Sequence, residues 1–221
     1  MYLTKLTLDS RHPGARRDLA DAYEMHRTLA RAFVPDDSTP PIRFLWRLEP
    51  PRSGAVPCEV LVQSGTPGRW SAIEAFEGYA SKVEPNKSVD LETFVRRGAG
   101  YRFRLVANPT VTREGKRLGL LRDDEQLAWL SRQAARHGFV VAQAVRMGSA
   151  RLTARIVGGH PTMTLQSVRF EGLLTVEDAG SVSETLVGGI GHGKAFGLGL
   201  LSLAPVGRIP LPLPDRQESH P

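Results

Sequence analysis

The chain has 221 residues, 41% of them hydrophobic and 24% charged, with a formal net charge of +6. That length suits one large or two small domains with a real core, and no run of about 18 apolar residues marks a membrane helix. The single cysteine, Cys58, excludes an internal disulfide framework and a cysteine-rich zinc site. The opening Met1–Leu6 carries an early lysine and no apolar stretch, so no signal peptide is expected and a cytoplasmic location is.

In chain order, Leu3, Leu6 and Leu8 fall among polar residues in the manner of a short strand over 2–9. Asp21-Ala22-Tyr23-Glu24 has the form of a capping box, with Asp21 as N-cap and Glu24 reaching back, and predicts a helix to about Phe33, before Pro35. Ile42–Leu48 and Glu59–Gln63 are predicted strands separated by a Pro/Gly/Ser loop, followed by a weak helix over 71–80 and a strand over Val89–Val95. The order β-α-β-β-α-β is the ferredoxin-like arrangement.

A second unit begins after Gly98 and Gly100. Tyr101, Phe103 and Leu105 alternate with Arg102 and Arg104, which puts the two arginines together on one face of a strand. Asp123–His137 has helical apolar spacing and ends at Gly138. Phe139–Met147, Arg151–Val157 and Thr164–Leu174 are predicted strands, with Gly158–Pro161 as a turn. A short helix over 179–187, a glycine-rich loop and a last strand over 198–204 complete a second copy of the same order. The expected class is therefore α+β, with two tandem ferredoxin-like domains over 1–96 and 97–205. The proline-rich tail 206–221 is expected to be disordered.

Of the 29 cationic residues, 24 are arginine, and residues 96–170 carry fourteen Lys/Arg against four Asp/Glu. Residues 126–170 hold six arginines and no carboxylate. Such asymmetry is either a nucleic-acid footprint or a solvated basic face. Arginine's planar fork favours phosphate and base edges, and no basic amphipathic helix suggests a membrane surface.

Two local features bear on chemistry. Half of the stretch Gly188–Gly199 is glycine, so its backbone can approach a phosphate closely. It lacks the Ser/Thr that a P-loop places after Lys194 and the GxGxxG spacing. It is thus either a polynucleotide phosphate contact or a tight connection packed on a sheet. Tyr23 and His26 share one helix face. His26 also falls in the stripe Ala22, Leu29, Ala30, Phe33, so it is either a core histidine satisfied by one hydrogen bond or a general acid–base group for RNA cleavage. His12 falls in a loop. His137 falls in a helix C-terminal turn, where its charge would suit the dipole, and His160 and His192 fall near a turn and the glycine loop. No HExxH-type metal spacing and no nucleophile elbow is present, and Arg97-Gly98-Ala99 lacks the aromatic of an RNP1 motif.

Several ordered motifs carry a resemblance. Met1-Tyr2-Leu3-Thr4-Lys5-Leu6, Arg16-Arg17-Asp18-Leu19, Tyr23-Glu24-Met25-His26-Arg27-Thr28-Leu29, Leu45-Trp46-Arg47-Leu48-Glu49, Arg102-Phe103-Arg104-Leu105, Phe170-Glu171-Gly172 and Gly191–Ser202 occur in sequence. Over about residues 1–205 the chain resembles the CasE family, the CRISPR-associated endoribonucleases of type I-E systems.

That resemblance implies cleavage of precursor CRISPR RNA at the base of the repeat stem-loop, with no metal and no other cofactor. The upstream 2′-OH attacks, leaving a 2′,3′-cyclic phosphate and a 5′-hydroxyl. It implies His26 as general acid or base, Tyr23 as the group that positions the reactants, and retention of the product as a subunit of Cascade. Arg16, Arg17, Arg27, Arg102, Arg104, Arg151, Arg155, Gly191, Gly193 and Lys194 are the implied RNA contacts. One departure stands out: the catalytic lysine that the family can supply from a second-domain hairpin has no counterpart between Arg151 and Pro161. Arg151 or His160 is left to stabilise the phosphorane. A non-cleaving hairpin-binding subunit and a general RNA-binding protein remain as alternatives.

Overall fold

The computed structural model describes residues 1–34, 42–50, 58–154 and 163–206. The first half runs β1 (Tyr2–Leu8), α1 (Pro13–Ala20), α2 (Ala22–Ala30), β2 (Phe44–Leu48), β3 (Glu59–Ser64), α3 (Ser71–Glu74), β4 (Ala80–Ser88) and α4 (Leu91–Phe94). The second runs β5 (Gly100–Ala107), β6 (Thr110–Arg113), β7 (Lys116–Gly119), α5 (Asp123–Arg136), β8 (Phe139–Ala154), β9 (Met163–Val176), α6 (Ala179–Gly188) and β10 (Leu201–Pro205).

The sheets are antiparallel, ordered β2-β3-β1-β4 and β10-β5-β9-β8. In each, the first and third strands of the unit lie at the centre, which is the ferredoxin-like arrangement twice over. Alternation builds both cores. In β1, Thr4, Leu6 and Leu8 are buried, and Leu6 and Leu8 join Met25, Leu29, Trp46, Val62 and Ile73. In β5, Tyr101, Phe103 and Leu105 join Trp129, Phe139, Phe170 and Leu186. No helix among the described residues is long and apolar enough to cross a membrane.

The elements depart from the sequence expectation where local chemistry competes with the apolar pattern. The predicted strand Val89–Val95 is instead α4, capped by Asp90, whose carboxylate accepts from the Glu92 amide and the Thr93 hydroxyl. The fourth strand is β4, and the expected helix over 71–80 stops at Glu74. β4 carries Ser81, Lys82, Glu84 and Lys87 on an exposed edge, so backbone pairing with β1 holds it, without a hydrophobic stripe. Helix α1, absent from the prediction, begins at Pro13 and is capped by His12, whose Nδ1 accepts from the Gly14 amide at 3.1 Å and the Ala15 amide at 3.4 Å.

Asp21 caps α2 as predicted, accepting from the Tyr23 amide at 2.8 Å. Glu24 does not reach back, because the Asp21 amide already donates to the Arg17 carbonyl; its carboxylate meets Arg27 and Arg17. The helix ends at Ala30 and tightens into a 3-10 turn over Arg31–Phe33. One strand, β8, covers 139–154 where two were predicted, and residues 155–157 of the second lie outside the described residues; bulges at Val141/Gln143 and Arg146/Gly148 absorb the irregular pattern. The β6–β7 hairpin turns at Glu114 and Gly115, both at positive φ. The turn Gly158–Pro161, Arg155 and residues 207–221 lie outside the described residues.

Candidate active site

Helix α2 places Met25, Thr28 and Leu29 in the core. His26 therefore sits at the edge of the buried face, half-buried. Its ring stacks on Phe44 of β2, with centroids 4.8 Å apart and planes 17° apart. Phe44 stacks in turn on Phe33 (4.6 Å, 14°), and Phe33 meets Trp70 edge-on at 5.7 Å. Nδ1 of His26 is buried and has no hydrogen-bond partner. Burial pushes the imidazole below its ordinary pKa, which keeps it neutral near pH 7. The hydrogen bond that the core-histidine reading supposes is absent among the described residues. Tyr23 lies three residues earlier on the same face and is half-buried.

The glycine-rich loop folds against this region. It leaves α6 at Gly189 and forms a 3-10 turn over Lys194–Phe196 that packs on α2 and β2. Positive φ recurs at Gly189, Gly191, Gly193, Gly197 and Gly199. A Cβ at Gly191 would meet the Trp129 ring at 3.2 Å, and one at Gly193 would meet Leu198 at 3.0 Å. The amides of Ile190, Phe196, Gly197, Leu198 and Gly199 are satisfied by backbone carbonyls, so much of the loop's donor capacity holds its own shape. Lys194 donates to the Gly191 carbonyl at 2.7 Å. Burial and the neighbouring Arg43 push its ammonium down.

The predicted arginines differ in their surroundings. Arg151, on β8, lines a cavity of about 470 Å³ with Leu19, Ala22, Met25, Trp46 and Phe196. The fold therefore brings it opposite the start of α2, beside the loop. Arg16 and Arg102 are exposed. Arg17 is engaged with Asp18 and Thr28, Arg27 with Glu24, and Arg104 with Glu49 and Glu171. Arg155 lies outside the described residues. A larger cleft of about 900 Å³, at Leu3, Leu61, Phe94, Tyr101 and Leu203, contains none of the predicted site residues.

Two residues beside the predicted site residues escaped the sequence reading. Phe44 carried only a strand signal, and Arg43, exposed beside Lys194, stood outside the basic segment. His137 also differs from expectation. Its Nδ1 lies 2.7 Å from the Thr185 hydroxyl, and burial lowers its pKa, so the cation suited to the helix dipole is disfavoured. Among the described residues, no three His, Cys, Asp or Glu side chains gather as a metal site.

Comparison with known proteins adds a lineage to this geometry. A family model described as CRISPR associated protein matches residues 1–205. The CRISPR-associated endoribonuclease Cse3 of Thermus thermophilus is 40% identical over 217 residues, covering 93% of this chain and 100% of the relative. The CRISPR system Cascade subunit CasE of Escherichia coli K12 is 32% identical over 219 residues, with 93% and 100% coverage. The solved structure of Thermus thermophilus Cse3 bound to an RNA representing a pre-cleavage complex superimposes with a TM-score of 0.83 at 41% identity, covering 92% of this chain and 98% of that one.

Proposed function

The chain belongs to the CRISPR-associated protein family that includes Cse3 and CasE, and from that premise we propose that it is an endoribonuclease that cuts precursor CRISPR RNA at the base of the repeat stem-loop. In this reading residues 1–96 form the domain with the catalytic helix, and 97–205 the domain with the basic hairpin and glycine-rich loop. The cut needs no metal. The 2′-OH upstream of the scissile bond loses its proton and attacks phosphorus in line, and the bond to the 5′-oxygen breaks. That oxygen takes up a proton, which leaves a 2′,3′-cyclic phosphate and a 5′-hydroxyl.

His26 serves as the general acid or base. A neutral imidazole at the edge of the buried face of α2 can accept the 2′-OH proton, and Tyr23 on the same helix face positions the reacting groups. In-line placement of the 2′-OH supplies much of the rate, and Arg151, which lines the cavity beside α2, supplies positive charge for the phosphorane. The product stays bound in a Cascade assembly, as the name of the Escherichia coli relative suggests. The observation that carries this reading is His26 itself: half-buried, its Nδ1 unpaired and its ring held flat against Phe44.

The test is cleavage of a labelled repeat hairpin in EDTA by wild type and His26→Ala. A cut at the stem base with a cyclic phosphate end, lost in the variant, is the expected result. Tight binding without a cut by either protein would make the chain a binding subunit.

A further inference from the structure

We propose that Phe44 is a positioning residue for His26, fixing the plane of its imidazole by stacking in place of the hydrogen-bonded partner that usually orients a catalytic histidine. The inference rests on the cleavage reading above. A base that works by geometry needs a third group to hold it, and that group is commonly a carboxylate or carbonyl on the second ring nitrogen. Here Nδ1 is buried without a hydrogen-bond partner, and no ion pair or hydrogen bond to the His26 ring exists among the described residues.

What the ring does have is a face-to-face neighbour at 4.8 Å and 17°. That neighbour is itself fixed. Phe44 is 5% exposed and is stacked on Phe33, which abuts Trp70. The Trp70 indole donates to Asn86 Oδ1 at 3.1 Å. The stack Phe33–Phe44–His26 is therefore anchored in the first core by the edge-on contact with Trp70, with the histidine as its outermost plate. Nδ1 faces the dry side, so Nε2 is the nitrogen that meets the substrate. A face-to-face ring contact of this kind favours one ring plane over the others.

The test compares Phe44→Leu, Phe44→Tyr and Phe76→Leu in single-turnover cleavage of the repeat hairpin, alongside the RNA dissociation constant. Phe44→Leu keeps the apolar volume and removes the flat face. Its cleavage rate is expected to fall about tenfold or more, in the range that small misplacements of a reacting group produce, with the dissociation constant within about twofold. Phe44→Tyr should restore the rate. Phe76→Leu removes a ring packed against the same core that stacks on neither His26 nor Phe44 and should cut at near the wild-type rate. The His26 ring proton resonances, shifted upfield by Phe44, should move downfield in Phe44→Leu and stay in place in Phe44→Tyr. Should Phe44→Leu fail to fold, Phe44→Met carries the same expectation.

Wild-type cleavage by Phe44→Leu, or an equal loss in Phe76→Leu, overturns the role of Phe44 while leaving His26 catalysis intact. If His26→Ala cuts as fast as wild type, the cleavage reading itself fails and the inference falls with it.

Discussion

The carboxylate of Glu49, just past β2 of the first sheet, binds the guanidinium of Arg104 on β5 of the second. The same carboxylate holds Arg47, which is 3% exposed and also donates to the carbonyls of Arg104 and Leu200 and to the Ser202 hydroxyl. Glu171 takes the other side of Arg104 at 2.8 Å. A buried cation, its counter-ion and two backbone carbonyls thus join the two sheets.

Removing that counter-ion should destabilise the fold more than a surface pair would. Glu49→Gln leaves the Arg47 charge buried without its carboxylate, a change expected to cost about 3 kcal/mol. Urea denaturation would show a lower midpoint. Replacement of the exposed pair Arg11–Asp9 should shift the midpoint little.

The two exposed-face arginines of β5 should separate by role. Arg102 is exposed, whereas Arg104 is held by two carboxylates. Arg102→Gln is expected to weaken hairpin binding and lower the salt slope by about one phosphate contact with an unchanged melting temperature. Arg104→Gln should lower the melting temperature. Binding titrations from low to moderate salt, paired with thermal melts, would check both.

Stability should depend on pH through His26. Burial lowers its pKa in the folded state, so the unfolded chain takes up the proton first as pH falls. The resulting stability is fully present above the unfolded value near 6.5 and is lost as pH drops toward the folded value. His137 and His192 act in the same direction. Urea midpoints between pH 7.5 and 5.5 should fall in wild type and fall less steeply in His26→Gln.

The glycine loop should fail at a backbone contact. Gly199 has φ +90, and a Cβ there would lie 2.6 Å from the Ile190 carbonyl oxygen. Gly199→Ala is expected to destabilise by about 2 kcal/mol, more than an ordinary Gly→Ala change at an incompatible φ. It should also loosen Lys194. Differential scanning calorimetry and hairpin affinity, measured together, would show both losses.

Alternation in β1 and β5, the Asp21 cap and the periodicity of α5 were all legible in the sequence, because each is a local consequence of side-chain spacing or of one capping side chain. Those signals failed at β4 and α4. An edge strand held by backbone pairing needs no apolar stripe, and four residues capped by Asp90 outweigh a β-favouring composition. The same blindness hid α1, whose cap is a histidine.

At the site, sequence alone put Tyr23 and His26 on one helix face and offered two roles for the histidine. It also gave the basic segment, the glycine loop and, through ordered motifs, the family. Only the tertiary structure decided the rest. It set Phe44, 18 positions further along, flat against His26. It left Nδ1 without a partner, took Arg104 into a tie between the sheets and brought Arg151 opposite α2. Spacing along the chain fixes which side chains share a face. Which faces then meet depends on packing and burial between segments far apart in sequence, and no local pattern encodes that.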